Sequence, residues 1–190
     1  MSRRKLLPAD NKYTRGVVAV CAGSKKYPGA ATLAVGGARR GNAGYVKYLS
    51  ANSALISQVI SKFPDVVPIL NLTNERVDSL LVGPGASTLT SFPDLPLVLD
   101  GAAISKVKTL KRRKSITVIT PHEGELKHLG VKFDGSREEI AKNMNNCCRL
   151  FSGLCRSHWW PRTCHSWKWG CACWTYCIIL SRYQRWGEGL

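Results

Sequence analysis

The chain has 190 residues, with 28 Lys and Arg against 12 Asp and Glu, a formal net charge of +16. An apolar content of 44% with 21% charged residues is globular and excludes a disordered or collagen-like chain. No run approaches the roughly 18 apolar residues of a membrane helix. The basic start Met1-Ser2-Arg3-Arg4-Lys5 leads into no apolar stretch of a secretory signal, so a cytoplasmic protein is expected.

In chain order, Val17-Val18-Ala19-Val20-Cys21-Ala22 closed by Gly23 reads as a strand buried on both faces. Pro28-Gly29 opens a small-residue helix running from Ala30 to Arg40, which Gly41-Asn42-Ala43-Gly44 ends. Tyr45 to Leu49 is the next strand. Ser53 is placed to cap a helix through about Phe63, with Leu55, Ile56, Val59 and Ile60 on one face. Val66 to Leu70 is a strand whose internal Pro68 assigns it to a sheet edge. Three further strands follow. Ser79–Val82 runs into Gly83-Pro84-Gly85, Leu95–Leu99 into Asp100-Gly101, and Ile116–Ile119 into Thr120-Pro121-His122-Glu123. Strands separated by helices predict an α/β fold with a parallel sheet and crossover connections. In such sheets ligands bind beyond the carboxyl ends of the strands, which makes the strand-end residues the functional candidates. Glu138 to Asn146 reads as another helix.

Composition breaks near residue 146. All six Trp lie in the last 32 residues, and seven of the eight Cys follow Asn146. Segment 147–190 carries six basic residues and a single acid, Glu188. A disulfide framework fits poorly, because seven is odd and the preceding body looks cytosolic. A zinc site from Cys164, His165, Cys171 and Cys173 lacks paired Cys-x-x-Cys knuckles. The favoured reading is coding sequence translated out of frame, since shifted Val- and Gly-rich codons yield Trp and Cys. The expected organisation is therefore a partial α/β domain over 1–146 and an irregular, unrelated tail over 147–190.

Taken singly, the strand-end motifs are modest signals. Gly23 to Ala31 follows a strand and opens a helix, where backbone N–H groups favour an anion or polar ligand group. It is neither a P-loop nor a Gly-x-Gly-x-x-Gly fingerprint. Gly83 and Gly85 permit close approach of a ligand to the backbone, or simply make a tight turn. Thr120 is placed to cap a helix with Pro121 at its first position, which sets His122 at the rim. Asp100 is free to orient a ligand, a metal or its own loop. Lys111-Arg112-Arg113-Lys114 reads as a solvated connection, since no aromatic residues interleave with it as single-strand nucleic-acid binding requires.

In combination and in order, these motifs resemble one family. Asn11 to Gly16, Val17 to Gly23, Tyr27-Pro28-Gly29-Ala30-Ala31, Gly36 to Val46, Val82-Gly83-Pro84-Gly85, Pro96 to Asp100 and Ile119 to Leu126 resemble the nucleotide-dependent NAD(P)H-hydrate dehydratases over about residues 11–146. The resemblance implies a ribokinase-like parallel sheet flanked by helices. It implies dehydration of hydrated NADH or NADPH back to the reduced carrier, through phosphorylation of the hydroxyl and loss of phosphate. ADP or ATP would be the donor, with Mg²⁺, and a homo-oligomer is a further implication. By position, Ala30 or Ala31, a glycine of Gly83-Pro84-Gly85 (Gly83 or Gly85) and His122 match the family's hydrate-binding residues, and Asp100 and Glu125 are candidates for a supporting role. The family's Lys-Gly motif and its Gly-x-Gly-Asp motif, whose Asp is the expected base, do not occur in 147–190. No catalytic base and no metal ligand is therefore assigned. Activity is expected to be impaired in this form, and the chain to be aggregation-prone. Two rival readings are another ribokinase-like small-molecule kinase and a non-catalytic basic protein that binds nucleic acid.

Overall fold

The computed structural model describes residues 7–85, 89–110 and 113–131. They build a six-stranded, all-parallel sheet. Its strands are β1 Val17–Cys21, β2 Tyr45–Leu49, β3 Val67–Ile69, β4 Ser79–Val82, β5 Leu97–Leu99 and β6 Thr117–Ile119, in the order β3-β2-β1-β4-β5-β6. The helices are α1 Pro28–Arg40, α2 Ser53–Lys62 and α3 Glu123–His128, with a 3-10 helix at Gly101–Thr109.

The strands form where the sequence offers continuous apolar runs, because both faces of the sheet are covered. The period of two then sends alternate side chains to opposite sides. Val18, Val20, Val46, Tyr48, Leu81 and Val98 pack on one face against the buried stripe of α1 and against Leu55 and Val59 of α2. That α1 stripe is Ala31, Ala34, Val35 and Ala38, spaced one helical turn apart. Ala19, Cys21, Leu80, Val82, Leu97 and Leu99 pack on the other face with Ala103 and Val107 of the 3-10 helix. Here the expectation of helical crossovers holds only in part. No helix is present between β3 and β4, and that segment contributes Leu72 and Val77 to the second face instead.

Small residues set the layer spacing. A Cβ on Gly36 of α1 would lie 3.1 Å from Phe63 Cζ, so α1 and α2 lie close together. Pro68 sits on β3 at the edge of the sheet, where its missing N–H leaves no ladder bond unmade. One polar side chain on β2 is buried with compensation: Lys47 pairs with Glu75.

Two sequence expectations need correction. The α2 cap is Asn52, not Ser53. The Asn52 side chain accepts from the Ala54 and Leu55 amides at 3.0 and 3.3 Å, and its backbone is extended while Ser53 is already helical. Arg113 is not part of a solvated charge run. Its side chain is 9% exposed, and its guanidinium donates to the carbonyls of Phe92, Pro93 and Leu95. Five rigid donors suit an Arg to gathering a loop's carbonyls in this way. Lys111 and Arg112, the helix expected over 138–146 and the tail at 147–190 lie outside the described residues. Among the described residues, no helix is long and apolar enough to cross a membrane.

Tyr48 ties the core to the loop after β1: its buried hydroxyl donates to the Ala22 carbonyl at 2.8 Å. Tyr48→Phe removes that donor without opening a cavity. A loss of about 1–2 kcal/mol in urea unfolding is expected, the cost of a buried acceptor deprived of its donor.

Candidate functional site

The strand order reverses between β1 and β4, where open parallel sheets form a crevice at their carboxyl ends. The two loops that leave these strands are bonded to each other. The Gly23 amide donates to the Pro84 carbonyl at 2.7 Å, and the Gly83 amide to the Cys21 carbonyl at 3.1 Å. Gly85 lies in the left-handed region, at φ +75°. A Cβ there would stand 2.5 Å from Ala30 Cβ and 3.1 Å from Gly23 Cα. The glycine loop is thus seated on the first turn of α1. Pro28 opens that helix and no side chain caps it; Pro28 has no N–H and the Ala30 amide donates to the Tyr27 carbonyl at 3.2 Å, so the first turn offers the Gly29 amide to a polar ligand group.

This packing separates two residues that the resemblance grouped. Ala30 is half-buried at the rim beside Gly85. Ala31 is fully buried, and a Cβ on Gly23 would come within 2.8 Å of its own. Ala31 therefore backs the crevice from inside the core and is not placed to touch a ligand. Gly83 is buried as well. A Cβ on it would fall 1.7 Å from the Asp100 carbonyl oxygen and 2.7 Å from Ala103 Cβ, and its φ is +118°. The group that approaches its backbone is Asp100 from the next strand end.

From Asp100 the site continues across β5 and β6. The Thr120 hydroxyl donates to Asp100 Oδ1 at 2.7 Å, and the Thr120 amide donates to the Leu99 carbonyl at 3.1 Å. Thr120 is therefore still tied to the sheet, and the expected Thr120 cap moves two residues along. His122 caps α3 instead. Its Nδ1 accepts from the Gly124 and Glu125 amides at 3.0 and 3.4 Å, while Glu125 Oε2 accepts from the His122 amide at 2.9 Å. This reciprocal box fixes the ring. With Nδ1 as acceptor, the neutral imidazole carries its proton on Nε2. Nε2 lies 3.5 Å from Glu125 Oε1, and the side chain is 63% exposed.

The carboxylates beside it are perturbed in one direction. Burial holds Asp100 above the usual carboxylate range, against the opposing effects of the Thr120 hydroxyl, the Gly101 amide and His122. Burial also raises Glu125, opposed by the His122 amide and imidazole and reinforced by the charge of Asp100. Such a cluster can orient a hydroxyl-bearing ligand and exchange hydrogen bonds with it. Among the described residues no three His, Cys, Asp or Glu side chains gather to hold an ion. Sequence reasoning missed Thr120 as the partner of Asp100 and Gly23 as the seat of Gly85. The repeated strand-then-glycine pattern was the available signal for Gly23, and nothing local marked Thr120.

Comparison with known proteins places residues 18–155 on the family model described as NAD(P)H-hydrate dehydratase. The bifunctional NAD(P)H-hydrate repair enzyme Nnr of Corynebacterium glutamicum is 32% identical over 178 residues, covering 77% of this chain and 30% of that protein. The ADP-dependent (S)-NAD(P)H-hydrate dehydratase of Bacillus subtilis is 28% identical over 133 residues, covering 61% of this chain and 48% of the relative. The chain thus spans less than half the length of these curated relatives. Among solved structures, the ADP/ATP-dependent NAD(P)H-hydrate dehydratase of Bacillus subtilis, co-crystallised with ATP and Mg²⁺, matches with a TM-score of 0.66 at 25% identity. That match covers 77% of this chain and 60% of the other. A ribokinase-like superfamily protein from Enterococcus faecalis shares the fold at a TM-score of 0.65 and 16% identity.

Two measurements check this geometry. Gly83→Ala places a methyl where a backbone oxygen sits, at a φ that alanine disfavours; a loss of about 3 kcal/mol or more in urea unfolding is expected. The second concerns pH. A carboxyl whose pKa is raised on folding binds its proton more tightly in the folded chain. It favours folding at acid pH, and that contribution is lost as pH rises through the folded value. Asp100→Asn removes one such group and leaves an oxygen to accept from Thr120. The stability of the variant relative to wild type is expected to grow as pH rises from about 4 to 7, read from urea midpoints at each pH.

Proposed function

Because the chain belongs to the NAD(P)H-hydrate dehydratase family, we propose that it binds NADH or NADPH hydrated at the nicotinamide ring. In this reading it serves dehydration of that ligand back to NADH or NADPH, a carbon–oxygen lyase reaction of metabolite repair in the cytoplasm. The observation that carries the proposal is the row of strand-end residues joined by packing, hydrogen bonds and chain continuity. It runs from Ala30 and Gly85 through Gly23, then through Gly83 and Asp100 to Thr120, His122 and Glu125. A bulky, anionic dinucleotide needs such an extended cradle, with glycine backbone at one end and directed polar groups at the other.

Each residue has a physical role in this reading. Gly85, packed on Ala30 and Gly23, sets the glycine loop at the rim of the crevice, and the uncapped start of α1 at Gly29 receives an anionic or polar group. His122 Nε2–H is offered to a ligand acceptor, while Nδ1 is held by the α3 amides. Asp100 and Glu125 sit behind it and fix the local field. The hydroxyl of the hydrate is phosphorylated at the expense of ADP or ATP, and phosphate then leaves with formation of the ring double bond. Positioning and charge neutralisation dominate such transfers. The Gly-x-Gly-Asp motif is not among the 190 residues, and the roles assigned to the residues described are binding and positioning. A general nucleic-acid-binding role gains nothing from the relatives described above.

The test is calorimetric titration of the full chain with hydrated NADPH. Wild type is expected to bind it, and His122→Asn to bind about tenfold more weakly, a change of about 1.4 kcal/mol. Asn keeps an acceptor for the α3 amides, so the helix start survives the substitution. Equal affinity of the two proteins, or no binding at about 1 mM hydrate, where affinity falls to roughly 4 kcal/mol, contradicts the assignment.

A further inference from the structure

The opposite end of the sheet carries a second concavity that the repair site does not use. At the amino ends of β1 and β2, a cavity of about 540 Å³ is lined by Lys12, Arg15, Arg39, Arg40, Tyr45 and Asp65, among others. Its size is that of a small-molecule site. Its charge is lopsided, with four cationic side chains against one carboxylate.

That carboxylate serves only one of the cations. Asp65 Oδ2 lies 2.8 Å from Arg39 Nε, and the Arg39 guanidinium also stacks on Phe63 at 4.7 Å. Lys12 is held between ring faces, with Nζ 5.0 Å from the Tyr13 centroid and 5.1 Å from that of Tyr45. Ring faces position a cation without cancelling its charge. Arg15 donates to the carbonyl and side-chain oxygen of Asn42, both neutral, and its buried Nε has no hydrogen-bond partner. Arg40 has no carboxylate partner among the described residues.

The walls are fixed before any ligand arrives. Asn11 Oδ1 accepts from the Tyr13 and Thr14 amides, and Gly44 donates to the Gly16 carbonyl at 3.1 Å. A Cβ on Gly44 would lie 2.2 Å from the Lys12 carbonyl and 2.6 Å from Arg15 Cβ, so the 12–15 turn is pressed against the start of β2. Arg39 and Arg40 have a structural reason to stand at the end of α1, since cations suit a helix C-terminus. Lys12 and Arg15 come from a separate segment, complement no helix end, and raise the positive charge further.

We propose that this cavity binds a compact phosphate chain, the pyrophosphate or triphosphate group of a small molecule. Several negative charges in a small volume match the excess, and planar guanidinium groups pair readily with phosphate oxygens. The cations converge on one concavity and do not track along a groove, which favours a small oligoanion over a nucleic-acid backbone. The site stands apart from the strand-end rim that holds His122, so the two assignments stand or fall separately.

The test is thermal shift and calorimetry on the full chain at matched ionic strength, with tripolyphosphate, ATP, orthophosphate and a short DNA duplex. Tripolyphosphate is expected to bind saturably and at least about tenfold more tightly than orthophosphate. Arg40→Gln, which breaks no hydrogen bond described here, is expected to weaken it about tenfold, Lys12→Gln similarly, and His122→Asn not at all. ATP equal to tripolyphosphate assigns the site to the phosphate chain alone, and tighter ATP binding sensitive to Arg40→Gln assigns it to a nucleotide; both support the proposal. Tripolyphosphate no better than orthophosphate, wild-type affinity in both Arg40→Gln and Lys12→Gln, loss in His122→Asn, or a duplex outcompeting tripolyphosphate would each overturn it.

Discussion

The close approach of the Asp100 carbonyl to Gly83 is the constraint on which the strand-end architecture depends. Any side chain at position 83 would occupy the space of that oxygen. With glycine there, the end of β5 closes onto the end of β4, and Asp100 is brought within a hydrogen bond of Thr120, the residue after β6. On the other side, the same loop is tied to β1 by the Gly23–Pro84 hydrogen bond and rests on Ala30 through Gly85. Four strand ends are aligned by backbone contacts before any ligand-facing side chain is considered. The polar cluster around His122 inherits its position from that alignment.

The strands were legible because a parallel sheet covered on both faces demands apolar runs, and β1, β5 and, apart from Ser79, β4 supply them with every residue buried. Pro68 correctly marked an edge. The helix starts were less legible. Capping is decided by which extended residue can reach the amides that follow it; Asn52 meets that condition one residue before Ser53, an equally good cap by type, and His122 meets it two residues after Thr120. Thr120 was unavailable because its hydroxyl serves Asp100, a contact 20 residues away that no local pattern encodes. The same holds for Arg113, whose carbonyl partners lie across a loop.

The candidate site shows the same division. The glycine loop, Asp100 and His122 stood out as strand-end residues, and the structure brings them onto one rim. Of the two alanines at the start of α1, Ala30 stands at the rim and Ala31 inside the core, because adjacent positions on a helix face directions about 100° apart. Charge is distributed unevenly between the two ends of the sheet. Half-buried carboxylates and an imidazole mark the carboxyl end, whereas Lys12, Arg15, Arg39 and Arg40 gather at the amino end. Part of the chain's strong positive charge is thus concentrated in a single concavity and is not spread evenly over the surface.

The most direct measurement is a crystal structure of the chain soaked with hydrated NADPH. The account predicts the hydrated nicotinamide within hydrogen-bonding reach of His122 Nε2, with the ligand lying over Gly85 and the first turn of α1. A ligand ordered elsewhere, with the Gly23–Gly85 crevice and the imidazole untouched, would contradict it.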